Sequence, residues 1–257
     1  MGYLSAAHTD VGIRKKVNQD SFCLKVAATT KAGNIALAVL CDGMGGLKMG
    51  ELASSFLVNA FSEWFETVLP KEVSREIQSQ RIYEQWNKII LQQNAKIKEF
   101  GAKHGFTLGT TITAVMLYGD NYIAAHVGDS RLYLLDSSIH QLTKDDSLVA
   151  QKVEKGELTA EQAKTDKRRN ILTQCVGASP TVIPHIFTGK ARVNDTFILC
   201  SDGFRHEVSD QEIFGVLAPE LLQNESVIKQ SLTELIELNK QRGESDNITA
   251  VVIKRIE

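Results

Sequence analysis

Four aspartates stand beside apolar, strand-like runs, where a rigid element would hold a carboxylate in a fixed place. They are Asp42 after IALAVLC, Asp129 after YIAAHVG, Asp202 after TFILCS and Asp246 just before ITAVVI. If these strand ends share one edge of the sheets, the carboxylates converge, and like charges that close require protonation or cations between them. Oxygen-only ligands, without Cys or His at metal-ligand spacing, suit hard divalent ions such as Mg2+ or Mn2+. Asp20, directly after Asn18-Gln19, is a fifth candidate ligand.

The same pattern is also compatible with four unrelated turns, because Asp and Gly are common turn residues. The run Ile35–Cys41 never alternates, which is typical of a strand buried on both faces. Asp42-Gly43 is a turn signal at the end of this run, and its small neighbours would let a ligand reach the backbone. Spacing alone leaves both interpretations open.

Composition bounds the class of protein. The chain has 257 residues, 43% of them hydrophobic and 23% charged, with a net charge of -2. This is an ordinary soluble globular composition and gives no electrostatic case for nucleic acid or an anionic membrane. The four cysteines form no C-x-x-C and are expected to be reduced core residues. With no secretory signal and no apolar run of ~18 residues, we expect a cytoplasmic monomer.

Hydrophobic periodicity predicts the elements that position the acids. The predicted strands are Ser5–Arg14, Asp20–Ala27, Ile35–Cys41, Thr110–Tyr118, Asn121–Val127, Arg131–Leu135, Asn170–Val176, Val182–Ala191, Thr196–Cys200 and Ile248–Ile256. The predicted helices are Glu51–Leu69 (ended by Pro70), Ile82–Phe100, two short helices in 143–166 broken at Gly156, Ser209–Leu217 and Glu225–Arg242. Hairpins rather than βαβ units predict one α+β domain with antiparallel sheets covered by helices.

Five short motifs occur along the chain in a recognisable order: DGMGG from Asp42, then GTT, GDSR, SDG and DNIT. Together they resemble the signature set of metal-dependent serine/threonine phosphatases, the protein phosphatase 2C (PPM) family. The segment LTKDDSLVAQKVEKGELTAEQA followed by RRNILTQCVGAS resembles the flap of its bacterial branch. The resemblance implies a four-layer αββα sandwich of two antiparallel sheets flanked by antiparallel helices. It also implies a single phosphatase domain over residues 1–257, with a flap subdomain at about 145–170.

The resemblance also implies roles for the acids, with Asp42, Asp202 and Asp246 as the catalytic centre. Asp42 would bridge two Mn2+ or Mg2+ ions, and the Gly43 carbonyl would bind one of them. Asp202 and Asp246 would complete the ligands of the second ion. Asp129, together with Asp202, resembles the pair that holds a third, weaker ion in bacterial members.

Four polar neighbours are expected to support this centre or the core instead of binding an ion. Asn247 is expected to orient Asp246 from behind. Thr110 and Thr111 are expected to support the sheet. His126, within a predicted strand, is interpreted as a core histidine with satisfied hydrogen bonds rather than an acid.

The activity that the resemblance implies is hydrolysis of phosphoserine and phosphothreonine on proteins by a metal-activated water. The implied partners are phosphorylated proteins and a cognate serine/threonine kinase. No side-chain nucleophile is needed, and the sequence has no G-x-S-x-G elbow, Cys/Arg phosphate loop or P-loop. Met44 stands where eukaryotic members have a His, so the leaving group is expected to take its proton from water.

The first motif departs from the family pattern, which has Arg three residues before Asn-Glu-Asp. Here that register gives Lys15, and Arg14 is one residue away. On an extended strand the two side chains would point to opposite faces, so only one would bind phosphate. Lys15 would act as a point charge, whereas Arg14, placed there by a bulge, would keep a bidentate fork.

A second departure is Gln19, which replaces the family's Glu and removes one anionic group near the proposed centre. The two departures keep an alternative function open, in which the chain is a weakly active or inactive member that binds phosphoproteins as a regulatory module.

Overall fold

The computed structural model describes residues 2–44 and 49–256, which form two five-stranded antiparallel sheets. In chain order the strands are β1 (Tyr3–Asp10), β2 (Asp20–Thr29), β3 (Gly33–Asp42), β4 (Ile112–Tyr118), β5 (Asn121–Val127), β6 (Arg131–Leu135), β7 (Ile139–Gln141), β8 (His185–Lys190), β9 (Thr196–Cys200) and β10 (Ile248–Arg255). One sheet has the order β1-β10-β9-β6-β7, and the other has the order β2-β3-β4-β5-β8.

The helices are α1 (Gly50–Thr67), α2 (Leu69–Ser74), α3 (Ser79–His104), α4 (Leu148–Glu154), α5 (Ala160–Thr165), α6 (Asp202–Arg205), α7 (Asp210–Leu217) and α8 (Glu225–Gln241), with a 3-10 turn at Pro219–Leu221. Of these, α1 and α3 pack on the outer face of one sheet, and α6, α7 and α8 pack on the outer face of the other. Among the described residues, no helix is both long and apolar enough to cross a bilayer.

Three apolar layers confirm the four-layer αββα sandwich. Strand β3 shows why: Leu37 and Val39 join the layer under α1 and α3, whereas Ala38 and Leu40 join the layer between the two sheets. A third layer packs β6, β9 and β10 against α6–α8. The unbroken apolar run of β3 therefore reflects burial on both faces. The four cysteines are free, as expected, and Cys41, Cys175 and Cys200 are buried.

Most predicted elements are confirmed, but the predictions for three segments are wrong. Strand β1 ends at Asp10, so Arg14 and Lys15 lie in a loop instead of on a strand. Pro70 does not end a helical region; it stands in the first turn of α2, where proline needs no backbone N–H. The run Asn170–Val176 is not a strand and makes only isolated bridges, through Leu172 and Val176.

The predicted pair of short helices near Gly156 is confirmed as α4 and α5. Ser147 caps α4 by accepting a hydrogen bond from the Ala150 backbone N–H. Thr159 and Gln162 form a reciprocal capping box at the start of α5. Gly156 separates the helices with a φ of +72°, a conformation that glycine adopts at little cost. Strand β7 and the four-residue α6 were not predicted.

Candidate metal centre

The ends of β2 and β3 bring two acids together. Asp20, the first residue of β2, is the register partner of Asp42, the last residue of β3. Thr110 and Thr111 fix this end of β3: the Thr110 hydroxyl donates to the Asp42 carbonyl at 2.9 Å, and the Asp42 N–H donates to the Thr111 hydroxyl at 2.9 Å. Both threonines therefore support the strand end, as expected.

Gly43 follows Asp42 and is packed tightly against protein backbone. Its N–H donates to the Gln19 carbonyl at 3.1 Å. A Cβ at this position would lie 2.5 Å from the Gly50 carbonyl oxygen, so a larger residue would force the backbones apart. Close backbone approach thus explains this glycine. Gly45 and Gly46, the other glycines of the motif, lie outside the described residues.

Two further glycines bring the remaining acidic turns together. A Cβ on Gly203 would lie 2.3 Å from the Asn247 carbonyl oxygen, and one on Gly12 would lie 2.1 Å from the Asp246 carbonyl oxygen. Gly203 directly follows Asp202, so this contact holds the Asp202 turn against the start of β10. The contact at Gly12 holds the loop between β1 and β2 against the same residues.

The electrostatics indicate that the carboxylates lie close together. Burial raises the pKa of Asp42 well above its usual range, and four carboxylates raise it further: Asp20, Asp202, Asp129 and Asp246. Burial, with the Asp202 charge, raises the pKa of Asp20 to about 7 and that of Asp129 to about 7. These shifts agree with the predicted convergence of the acids, since buried like charges disfavour ionisation.

The donor chemistry suits a hard divalent ion. Asp20 Oδ2 accepts a hydrogen bond from the Thr249 hydroxyl at 2.6 Å, whereas its Oδ1 is buried with no partner among the described residues. A buried carboxylate oxygen without a donor is costly unless a cation binds it. The predicted ligands offer oxygen alone, which is the preference of Mg2+ and Mn2+.

The side-chain positions instead favour the protein's own cations. Across residues 2–44 and 49–256, no three acidic, histidine or cysteine side chains are grouped so that they could hold an ion as they stand. Lys15 Nζ lies 2.8 Å from Asp246 Oδ1, and Arg205 Nη2 lies 4.0 Å from Asp129 Oδ2. The charge and donor type fit an ion, but these carboxylates would have to turn from their present partners to bind one.

Asn247 fixes the loop that carries Arg14 and Lys15. Its side-chain oxygen accepts from the Gln19 N–H at 2.9 Å, and its amide group donates to the carbonyls of Val11 and Val17. Asn247 contacts Asp246 through its backbone and not through its side chain, since the Asn247 N–H donates to Asp246 Oδ1 at 2.8 Å.

Lys15, and not Arg14, faces the acids. Burial would lower the pKa of Lys15, but its bond to Asp246 and the charges of nearby acids outweigh burial and raise it. Arg14 is exposed and makes no ion pair within the described part of the chain. The expectation that Arg14 and Lys15 point to opposite faces of a strand is wrong, because both residues lie in the loop after β1. Gln19 donates through its side chain to Glu51 at 3.2 Å.

Three residues that the sequence analysis missed border the centre. Arg205 Nη2 donates to the Asp129 carbonyl at 2.9 Å. His206 lies between two acids, with Nε2 at 3.6 Å from Asp202 Oδ2 and Nδ1 at 3.1 Å from Glu244 Oε2. The adjacent Arg-His pair shortly after SDG was the available sequence signal, but only the fold shows that both side chains turn towards the acids.

A cavity of about 1050 Å³ opens beside the centre, between the α4–α5 segment and α7. Its lining contains Asp129 and Arg205 together with further cations, including Arg131, Lys144 and Arg169. Acidic residues of α7 and apolar side chains such as Val149 and Val208 complete the lining. The cavity is thus a groove of mixed charged and apolar character that reaches the centre at Asp129.

Solved structures that are similar to this architecture include serine/threonine phosphatases of bacteria. Stp1 from Staphylococcus aureus matches with a TM-score of 0.83 and 30% identity, covering 98% of this chain and 94% of that chain. The catalytic domain of PstP in complex with two manganese ions matches with a TM-score of 0.78 and 30% identity, covering 99% of each chain.

The chain belongs to the protein phosphatase 2C family, whose model matches residues 9–252. A putative protein phosphatase 2C-type from Streptococcus pyogenes is 34% identical over 248 residues, which is 95% of this chain and 94% of the relative. The resemblance of the five motifs is therefore confirmed.

Proposed function

We propose that this chain hydrolyses phosphoserine and phosphothreonine esters of proteins in a reaction that depends on Mn2+ or Mg2+. The observation that carries the proposal is the gathered set of acids around Asp42, with the partnerless Oδ1 of Asp20 among them. Family membership supplies the reaction class, and the acids supply the reason why a divalent ion is required.

Two ions would be held by Asp42, the Gly43 carbonyl, Asp202 and Asp246, with Asp20 beside them. When bound, such a pair activates water for attack on phosphorus and offsets negative charge on the phosphoryl oxygens. The acids themselves are the binding set, and β3, β9 and β10 hold them rigidly at the sheet ends.

Lys15 is the cation that would meet a phosphoryl group at this centre. Its ammonium already lies among the acids, 2.8 Å from Asp246, and the Asn247 side chain anchors the loop that carries it. A lysine ammonium contacts phosphate as a point charge, without the fork of an arginine. Met44 offers no proton, so the leaving alkoxide takes its proton from water.

The cavity beside Asp129 would take the peptide that flanks the phosphorylated residue. Its lining of charged and apolar side chains suits an extended segment that carries both kinds of side chain. We further propose that residues 145–170 act as a flap within a single domain of residues 1–257. The cognate kinase, the cytoplasmic location and the monomeric state stay predictions.

The direct test is hydrolysis of a phosphothreonine peptide with Mn2+ or with EDTA. We expect turnover only with the ion, and a loss of more than about 100-fold in Asp42→Asn and Asp202→Asn, since electrostatic groups at a reacting centre contribute on that scale. Glu63→Gln, on the exposed side of α1, is the control and should keep full activity.

Turnover in EDTA, or none at any Mn2+ concentration, would refute the proposal. Phosphopeptide binding without turnover would instead support the regulatory module.

A further inference from the structure

The Arg205 guanidinium is buried against Asp129. Its Nη2 donates to the Asp129 carbonyl at 2.9 Å and lies 4.0 Å from the Asp129 carboxylate. The two side chains are only 12% and 10% exposed. Arg205 ends α6, the short helix that begins with Asp202, so a single turn of helix separates this cation from one of the two acids that resemble the third ion's ligands and places it beside the other, Asp129.

The other nearby carboxylate already has a partner. Arg131 holds Asp145 with three hydrogen bonds, from Nε at 2.9 and 3.3 Å and from Nη2 at 2.9 Å. Arg205 Nη2 is farther from Asp145, at 3.5 Å. Two guanidinium groups therefore face two carboxylates: Arg131 is paired with Asp145, and the Arg205 charge lies between Asp145, at 3.5 Å, and Asp129, at 4.0 Å.

Arg205 also retains an unused donor. Its Nε is buried and has no hydrogen-bond partner among the described residues. A guanidinium stays protonated inside proteins and cannot release its charge to make room for a metal ion. A divalent ion bound by Asp129 and Asp202 would therefore stand next to a fixed positive charge that is screened little by water.

We propose that Arg205 takes the place of the third, weaker divalent ion at Asp129, so that this chain binds two ions and not three. Asp129 then serves as the partner of a built-in cation instead of as a metal ligand. The inference rests on the proposed two-ion centre at Asp42, Asp202 and Asp246.

The test is the number of Mn2+ ions bound per chain, measured by equilibrium dialysis with elemental analysis and by calorimetry. We expect two ions for the wild type. Arg205→Met keeps much of the side-chain volume but removes the charge, and it should bind a third, weaker ion. Arg205→Lys keeps the charge and should stay at two. Adding Asp129→Asn to Arg205→Met should return the number from three to two.

Asp129→Asn alone keeps the test decisive if Arg205→Met fails to fold, which circular dichroism would reveal. We expect this substitution to leave two bound ions. Three ions in the wild type, a loss of one ion in Asp129→Asn, or a folded Arg205→Met that stays at two would each overturn the inference. A wild type that binds no Mn2+ would overturn the proposed two-ion centre itself, and the inference with it.

Discussion

Lys15 Nζ lies 2.8 Å from Asp246 Oδ1, although the two residues are separated by nearly the whole chain. Asp246 is a candidate metal ligand, so the ammonium and a divalent ion would compete for the same carboxylate. If Asp246 held such an ion, Lys15 would be released at the place where a phosphoryl group would arrive. One side chain would thus balance the acids before the ion binds and contact the substrate afterwards.

Lys15→Ala is therefore expected to have opposite effects on two ligands. Mn2+ affinity should rise, because a competing positive charge is removed. The KM for a phosphopeptide should rise by about 10-fold, because a charge-assisted contact contributes about 1.4 kcal/mol or more. Calorimetry and steady-state kinetics measure the two effects.

Arg14→Ala is the matched control for the neighbouring cation. Arg14 is exposed, so both quantities should change by less than about 2-fold, the scale of an unpaired surface charge. A larger KM effect in Arg14→Ala than in Lys15→Ala would assign the phosphate contact to Arg14.

Asp42→Asn should stabilise the protein in EDTA while it abolishes Mn2+ binding. Burial and four neighbouring carboxylates disfavour the charged Asp42 side chain, and Asn removes that cost. We expect the free energy of unfolding at neutral pH to rise by roughly 1–2 kcal/mol, or about 2–4 °C in Tm for a domain of this size. With saturating Mn2+ the order should reverse, since only the wild type gains stability from the ion.

Thermal unfolding with and without Mn2+ tests this reversal in the order of stability. The control Glu63→Gln should have the stability of the wild type in both conditions. An Asp42→Asn variant that is less stable than the wild type in EDTA would show that repulsion between the acids does not lower the free energy of unfolding.

Gly203→Ala should disturb both the fold and the centre. The new Cβ would lie 2.3 Å from the Asn247 carbonyl oxygen, which is backbone and cannot turn away. We expect a loss of about 1–3 kcal/mol, the usual cost of overpacking, together with weaker Mn2+ binding as the Asp202 turn moves.

Gly215→Ala is the matched control on α7, where no atom lies within 4 Å of the added Cβ. There the change should stabilise the helix by roughly 0.5–1 kcal/mol and leave Mn2+ binding unchanged. Urea unfolding and calorimetry compare the pair, and equal effects on stability would contradict the packing account.

His126 should make stability depend on pH. Its side chain is fully buried, with Nδ1 hydrogen-bonded to the Thr113 hydroxyl and Nε2 to the Lys144 carbonyl, which supports its interpretation as a core histidine. Burial lowers the pKa of His126 below 6.5. The unfolded chain therefore takes up a proton near pH 6.5 before the folded chain does, so this contribution to stability is present above about pH 6.5 and is lost as pH falls towards the folded pKa.

Urea unfolding between about pH 7.5 and pH 5 tests this sign. The stability difference between the wild type and His126→Asn should shrink as pH falls, by at most about 1.4 kcal/mol per pH unit. Thr113→Val removes the same hydrogen bond but keeps the imidazole, so it should retain the wild-type slope. A difference that stays constant with pH would refute the contribution of His126.

Local patterns in the sequence determined the elements and the family. The apolar run of β3 and the helical period of α1 and α3 depend only on residues that are close together in the sequence. The buried face of each element can therefore be predicted from the sequence. The acids at the strand ends were found in the same way, because Asp42, Asp202 and Asp246 each adjoin such a run. The five motifs in order then identified the reaction class.

Tertiary structure alone decided which cations meet these acids. Lys15 faces Asp246 because the side chain of Asn247, more than 200 residues away, holds the loop after β1. Arg205 meets Asp129 because β6 and β9 are neighbours in one sheet. Neither contact produces a periodic pattern in the sequence, because each depends on residues that are distant in the chain and on turns without a repeating pattern. The sequence thus determined where the carboxylates stand, and the packing of distant segments determined which positive charges lie beside them.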